Sequence, residues 1–205
     1  LKTFAVRQMH DNSDFFTGAF PAEYGNALSG VFDLKMRKGN NENYEFTAQA
    51  GMNGLEFGAE GPFKKGNRSS FLVNYRYSTL AVFDLLNIHF GVSGVPEFQD
   101  ISYKVNIVTN KAGTFGFFGV GGFSIIEVFY EDRKEDDWSF GRNQLNFKFG
   151  SSMGATGISH FIPINNSSYI KTILAVTGSG TSARADSAFT EEEVIYYGDN
   201  SHEIK

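Results

Sequence analysis

From Asn43 onward the chain adopts a period of two. Tyr44, Phe46, Ala48, Ala50 and Met52 fall on one face of an extended strand, and Glu45, Thr47, Gln49 and Gly51 fall on the other. A helix would scatter these residues around its circumference, so the pattern demands a strand with one apolar face. Asn53-Gly54, a dipeptide suited to tight hairpin turns, follows at once. Beyond it the parity flips, with Leu55, Phe57 and Ala59 now apolar against Glu56, Gly58 and Glu60. A hairpin produces such a flip; one long strand does not.

The alternation recurs along the chain. After a turn at Lys64-Lys65-Gly66-Asn67, Phe71, Val73, Tyr75 and Tyr77 alternate with Ser70, Leu72, Asn74, Arg76 and Ser78. A long connection over 79–98 contains an apolar run at 80–86 that reads as a short helix. Ile101, Tyr103, Val105 and Ile107 then oppose Asp100, Ser102, Lys104 and Asn106, and a turn at 110–113 follows. Positions 114–129 form a strand rich in Phe and Gly whose facing is ambiguous, because glycines let bulky neighbours pack or the sheet bend. A charged connection leads to Leu145, Phe147, Phe149 and Met153, set against Gln144, Asn146, Lys148 and Ser152. A turn over 163–167, a strand over 170–178, a polar connection over 179–193 and the start of a last strand at 194–197 complete the reading.

Apart from Asn53-Gly54, short turns near 64–67, 109–113 and 163–167 alternate with long connections near 79–98, 130–142 and 179–193. Transmembrane β-barrels sort their connections this way, with short turns on one side of the membrane and long loops on the other. Composition agrees: 16% aromatic residues with 22 Phe, 9 Tyr and 23 Gly favour strands over helices. No run of eighteen apolar residues exists, so no membrane-spanning helix is expected, but a barrel strand needs only about 9–11 residues with alternate ones apolar. A net charge of −5 gives no basic footprint for nucleic acid. Absence of cysteine removes disulfides, thiolate metal sites and cysteine nucleophiles. Leu1-Lys2-Thr3 does not open a signal peptide, and the chain is expected to be a fragment of a longer one.

Upstream of the alternation lies DFFTGAFPAEYGNALSGVFDLKMRKGN, residues 14–40. Gly18, Gly25 and Gly30 allow backbone angles closed to other residues and Pro21 fixes its own φ, so a compact, turn-rich element is expected. The motif resembles the end of the plug domain of TonB-dependent outer-membrane transporters. The matching features are Pro21, Glu23, the Tyr24-Gly25 pair, and Gly30 opening a strand Val31-Phe32-Asp33-Leu34. The resemblance implies that residues 1–40 are the C-terminal part of a plug, with 1–12 as a further strand, and that 41–205 are the first seven or eight strands of an antiparallel transmembrane barrel. It further implies a bacterial outer membrane with lipid and lipopolysaccharide around it, a TonB energy-coupling complex as partner, and import of a small-molecule nutrient, with no cofactor and no covalent chemistry. "AEYGNALSGVFDL" looks like the Bacteroidota branch, for which a surface lipoprotein is a further partner. It departs from the arginine-rich turn and "GVILITTK" of glycan importers, which weighs against a glycan substrate. A transporter-like barrel acting as an assembly scaffold, and a soluble carbohydrate-binding β-sandwich, are the alternatives.

The polar strand face supplies the candidate functional residues: Glu56, Glu60, Asn74, Arg76, Asp100, Lys104, Asn106, Gln144, Asn146 and Lys148. If the opposite face meets lipid, these line a wet lumen and hydrogen-bond the plug, with Arg76 and Lys104 pairing with carboxylates such as Glu23 or Asp33. His10, His89, His160 and His202 fall in four elements without ligand spacing, so neither metal nor triad is expected. Gly116, Gly119, Gly121 and Gly122 lie in a strand with no helix after it, which a phosphate loop requires. The acidic groups at 131–137 and 191–193 read as solvated loop.

Overall fold

The computed structural model describes residues 14–18, 21, 30–33, 35–51, 54–78, 96–128, 145–187 and 195–204. These form ten strands and, among the described residues, no helix. β1 (Asp14–Phe16) pairs antiparallel with β2 (Val31–Asp33). The remainder is one antiparallel meander of eight strands: β3 (Glu45–Gly51), β4 (Gly54–Pro62), β5 (Ser70–Tyr77), β6 (Glu97–Val108), β7 (Thr114–Val128), β8 (Leu145–Asn165), β9 (Ser168–Ser187) and β10 (Ile195–Ile204). Each strand pairs with its sequence neighbours, and the sheet is open, with β3 and β10 at its edges. The expected strand at 1–12 and helix at 80–86 lie outside the described residues.

The parity flip is a property of the register. Ala48 pairs with Phe57 and Gln49 with Glu56 across the β3–β4 hairpin, so the two apolar rows share a face. Gly54 belongs to β4, paired with Gly51 at a φ of +136°, while Asn53 lies outside the described residues. In the next two turns Gly66 and Gly113 have φ of +82° and +78°, a region that side chains with a Cβ rarely enter. At Gly113 the carbonyl of Phe161 also occupies the space a Cβ would need.

Following the pairs from β4 to β7 puts Phe57, Tyr75, Ile101 and Gly121 in one row and Glu56, Arg76, Asp100 and Gly122 in the other. The first face is aromatic and aliphatic, the second polar. Their exposures run against those of a water-soluble sheet: Phe46 is 79% exposed and Phe57 52%, whereas Glu56 is 7%, Asn74 5% and Asn106 4%. Among the described residues only Leu72 and Val128 form a buried hydrophobic core. The contrast fades on β8 and β9, where side chains of both faces are largely exposed.

Register also resolves the facing of β7. Phe115, Phe117 and Phe123 lie on the aromatic face, and Phe118 on the polar one. Its glycines make room for rings from neighbouring strands. Tyr103 of β6 lies across Gly119, where a Cβ would fall 2.5 Å from the ring, and reaches Thr156 Oγ1 of β8 at 2.6 Å. Phe118 lies likewise over Gly157, and Tyr44 over Gly61.

The last hairpin departs from expectation. Residues 179–187, read from sequence as a connection, continue β9, which pairs with β8 down to Leu145–Ser187. Ser179, Thr181, Ala183 and Ala185 offer no apolar stripe, so side-chain hydropathy does not mark a strand; the backbone ladder with β8 runs through it. β8 and β9, at 21 and 20 residues, are each roughly 65–70 Å long.

Gly119→Ala is expected to displace the Tyr103 ring and lower stability by about 1–3 kcal/mol. In a Tyr103→Ala background the same substitution should be nearly neutral, a difference read from urea midpoints in a double-mutant cycle.

Candidate functional site

Seven of the expected polar-face residues, Glu56, Glu60, Asn74, Arg76, Asp100, Lys104 and Asn106, stand together on the buried face of β4–β6. Lys148 does not join them. The β7–β8 register pairs it with Glu127 on the aromatic face, where the two form an ion pair and the lysine is exposed. Reading Phe147, Phe149 and Met153 as an outward row inverted this strand, because facing on β8 is inherited from β7, whose sequence carries little polarity contrast. Asn146 shares the face of Lys148, and Gln144 lies outside the described residues.

Segment 35–40 docks onto this polar face, and Glu60 is its anchor. Arg37 donates Nη1 to Glu60 Oε2 at 2.7 Å and Nη2 to Oε1 at 2.5 Å, and the backbone N–H of Asn40 donates to Oε2 at 2.7 Å. A two-pronged guanidinium contact plus a backbone donor satisfies a carboxylate that is 8% exposed. Hydrogen bonding to that carboxylate raises the Arg37 pKa above its ordinary value. Asn40 then shapes the way into β3: its Oδ1 accepts the N–H of Glu42 at 2.8 Å and of Asn43 at 3.1 Å, and its Nδ2 donates to Glu45. Gly39, buried between them, runs so close to the backbone of Phe71 and Leu72 that a Cβ would overlap the Phe71 carbonyl. Only glycine permits that approach.

Farther along the face the polar groups pair within the sheet. Arg76 meets Asp100, its direct cross-strand partner, with Nη2 at 2.6 Å and Nε at 2.7 Å from Oδ2, and stacks over Phe98 at 4.8 Å. Asn74 donates Nδ2 to Glu56 Oε1 at 2.7 Å, while its own Oδ1 is buried without a partner. Of the expected pairing of Arg76 and Lys104 with Glu23 or Asp33, neither cation is found on Asp33 among the described residues, and Glu23 lies outside them. Arg76 is taken by a neighbour 4.5–5.5 Å away across the strand, as adjacent opposite charges in a sheet tend to be. Asp33 pairs with Lys35 at 3.4 Å, and Lys104 lies 5.0 Å from the Phe118 ring with no carboxylate partner among the described residues. The cation that does join the upstream segment to the sheet is Arg37, with the charges reversed from the expectation.

Arg37, Gly39 and Asn40 were invisible to strand periodicity because they lie in no strand. The signal available was local: an Asn ahead of two N–H groups at the head of an alternating run, which is how such a side chain starts a turn. Of the motif residues, Glu23, Tyr24 and Gly25 lie outside the described residues. Gly18 and Pro21 are exposed, and Gly18 and Gly30 have ordinary φ. Gly30 instead takes the close approach of β1, with a Cβ position 3.4 Å from the Phe16 carbonyl, and Gly18 faces open space. The glycine angles expected there are found in the hairpin turns. No protein family, curated protein or solved structure matches the chain.

The arrangement can hold an irregular segment against a charged surface and can exchange hydrogen bonds with polar solutes; no metal-binding group of His, Asp and Glu exists among the described residues. Arg37→Ala should leave buried Glu60 without a cation and with the Asn40 N–H as its remaining donor, lowering stability by about 1–3 kcal/mol. A cycle with Glu60→Ala should return a coupling of about 1–2 kcal/mol, and limited proteolysis should show faster cleavage near residues 35–40 in either variant.

Proposed function

We propose that this chain is part of a TonB-dependent outer-membrane transporter: the end of a plug over 1–40 and the first barrel strands over 41–205. One observation carries the reading, the inverted exposure of β3–β6, with Phe and Tyr rows outward and Glu, Asn and Arg inward. Water penalises such a sheet on both faces, since apolar area stays wet and charge is desolvated. Hydrocarbon outside and a hydrated lumen inside remove both penalties. Connection lengths support the same reading in part: 63–69, 109–113 and 166–167 join strands at one end of the sheet, and the long 78–96 and 129–144 join them at the other, where 52–53 and 188–194 are short exceptions. The expected connection over 179–193 shrinks to 188–194, no longer than 63–69, because β9 extends into it. Segment 35–40 is then the link between plug and barrel, fastened to the barrel wall through Glu60. The function that follows is energy-coupled import of a scarce nutrient, such as a siderophore, oligosaccharide or peptide.

Placing an arginine at Phe57 or Phe117 should cost about 2–4 kcal/mol for the full-length protein folded into lipid vesicles, as at the middle of a bilayer. A chain that folds as a monomer without detergent or lipid, and accepts both substitutions at no cost, would contradict the membrane assignment. Transport is tested in cells: uptake of a limiting nutrient should fail both on deletion of the gene and on collapse of the proton gradient. Uptake by the deletion strain equal to that of its parent across iron-, vitamin-, peptide- and glycan-limited media would remove the import reading.

A further inference from the structure

Between segment 38–41 and the polar face of β5–β7 lies a cavity of about 330 Å³ whose lining includes Lys38, Arg68, Ser70 and Asn106 but no carboxylate. Ser70 and Asn106, a cross-strand pair, are 1% and 4% exposed. Both line the cavity, where a bound group can receive the Asn106 carboxamide. Lys104 stands two residues before Asn106 on the same face of β6, and its Nζ lies 3.5 Å from where a Cβ would stand on Gly116, the cross-strand partner of Asn106. Lys38, Arg68 and Lys104 form no ion pair among the described residues, whereas nearby Arg37 and Arg76 are each matched to a carboxylate.

Unmatched positive charge around polar groups at a cavity describes a site for a multiply charged anion. A carboxylate would leave two of the three cations uncompensated. A phosphate group carries about −1.5 to −2 charge and three acceptor oxygens, so it offsets up to two of the three and can accept from the Asn106 amide as well. We infer that this cavity binds a phosphate group, gripped by Lys38 from the docked segment, Arg68 from the β4–β5 turn, and Lys104 and Asn106 from β6. Because its two walls come from different parts of the chain, occupancy ties segment 38–41 to β5–β7 beside the Arg37–Glu60 contact. The site requires only the sheet and this segment, and it stands whether or not the aromatic face meets lipid.

The test uses the full chain folded in neutral detergent, titrated calorimetrically with inorganic phosphate, with acetate, and with phosphatidylglycerol in mixed micelles. Saturable phosphate binding is expected, weakened about tenfold or more by Lys38→Gln and by Lys104→Met, and unchanged by Lys111→Gln in the neighbouring turn. Lys38 lies outside every strand, so Lys38→Gln keeps the test valid should Lys104→Met fail to fold by circular dichroism. Binding confined to phosphatidylglycerol, with the same dependence on Lys38, would assign the phosphate to a lipid headgroup. Acetate binding as tight as phosphate, no saturation with any probe, or equal affinity in wild type and Lys38→Gln would overturn the inference.

Discussion

Pairing backbone amides into an eight-strand ladder leaves each residue only two directions, and on β4–β6 Glu56, Glu60, Arg76, Asp100 and Lys104 take the less exposed one. That placement imposes the rest. A carboxylate held at 7–8% exposure must find donors. Glu60 finds Arg37 and the Asn40 amide; Glu56 finds Asn74. Asp100, less deeply placed, finds Arg76. The docked segment is thus a requirement of the sheet's polar face as well as an appendage to it, since without Arg37 the most demanding group on β4 would have one donor instead of three.

The other face is organised by shape. Rings larger than the strand spacing need somewhere to lie, and glycine on the adjacent strand supplies it, as where Tyr103 crosses Gly119 to bond Thr156 two strands away. One side chain thereby joins three strands, adding a side-chain tie to the amide ladder. The same device appears on both faces, with Tyr44 over Gly61 on the aromatic one and Phe118 over Gly157 on the polar one. Glycine abundance in this chain reflects ring accommodation in strands as much as turns.

Legibility in the sequence follows polarity contrast. The faces of β3 to β6 could be read because Glu, Asn, Arg and Asp alternate with Phe, Tyr, Val and Ile, and they are those in the register, although β6 begins at Glu97, inside the expected connection over 79–98. β7 could be found but not oriented, because Phe occurs at both parities. Lys148 was assigned to the wrong side because a strand's facing depends on its neighbour's, a non-local fact. The 179–187 half of β9 was lost because Ser, Thr, Ala and Gly give equal signals for strand and loop. Arg37 was missed because its importance comes from Glu60, 23 positions away. The motif at 21–30 carries the family resemblance, yet Glu23, Tyr24 and Gly25 lie outside the described residues, and the glycines on either side play plainer parts than expected.

The same poverty of contrast in β8 and β9 has a kinetic meaning. Rows such as Gly150, Ser151 and Ser152 against Ser182, Thr181 and Gly180 fit almost as well after sliding by two residues, since small side chains do not interlock. What distinguishes the native alignment sits at the closed end: the irregularity between Pro163 and Asn165, and the Asn165 side chain accepting the N–H and hydroxyl of Ser167. Specific cues to alignment cluster near the turn, the Phe161–Tyr169 ring contact among them, so the fidelity of the far end rests on the end that the chain joins first.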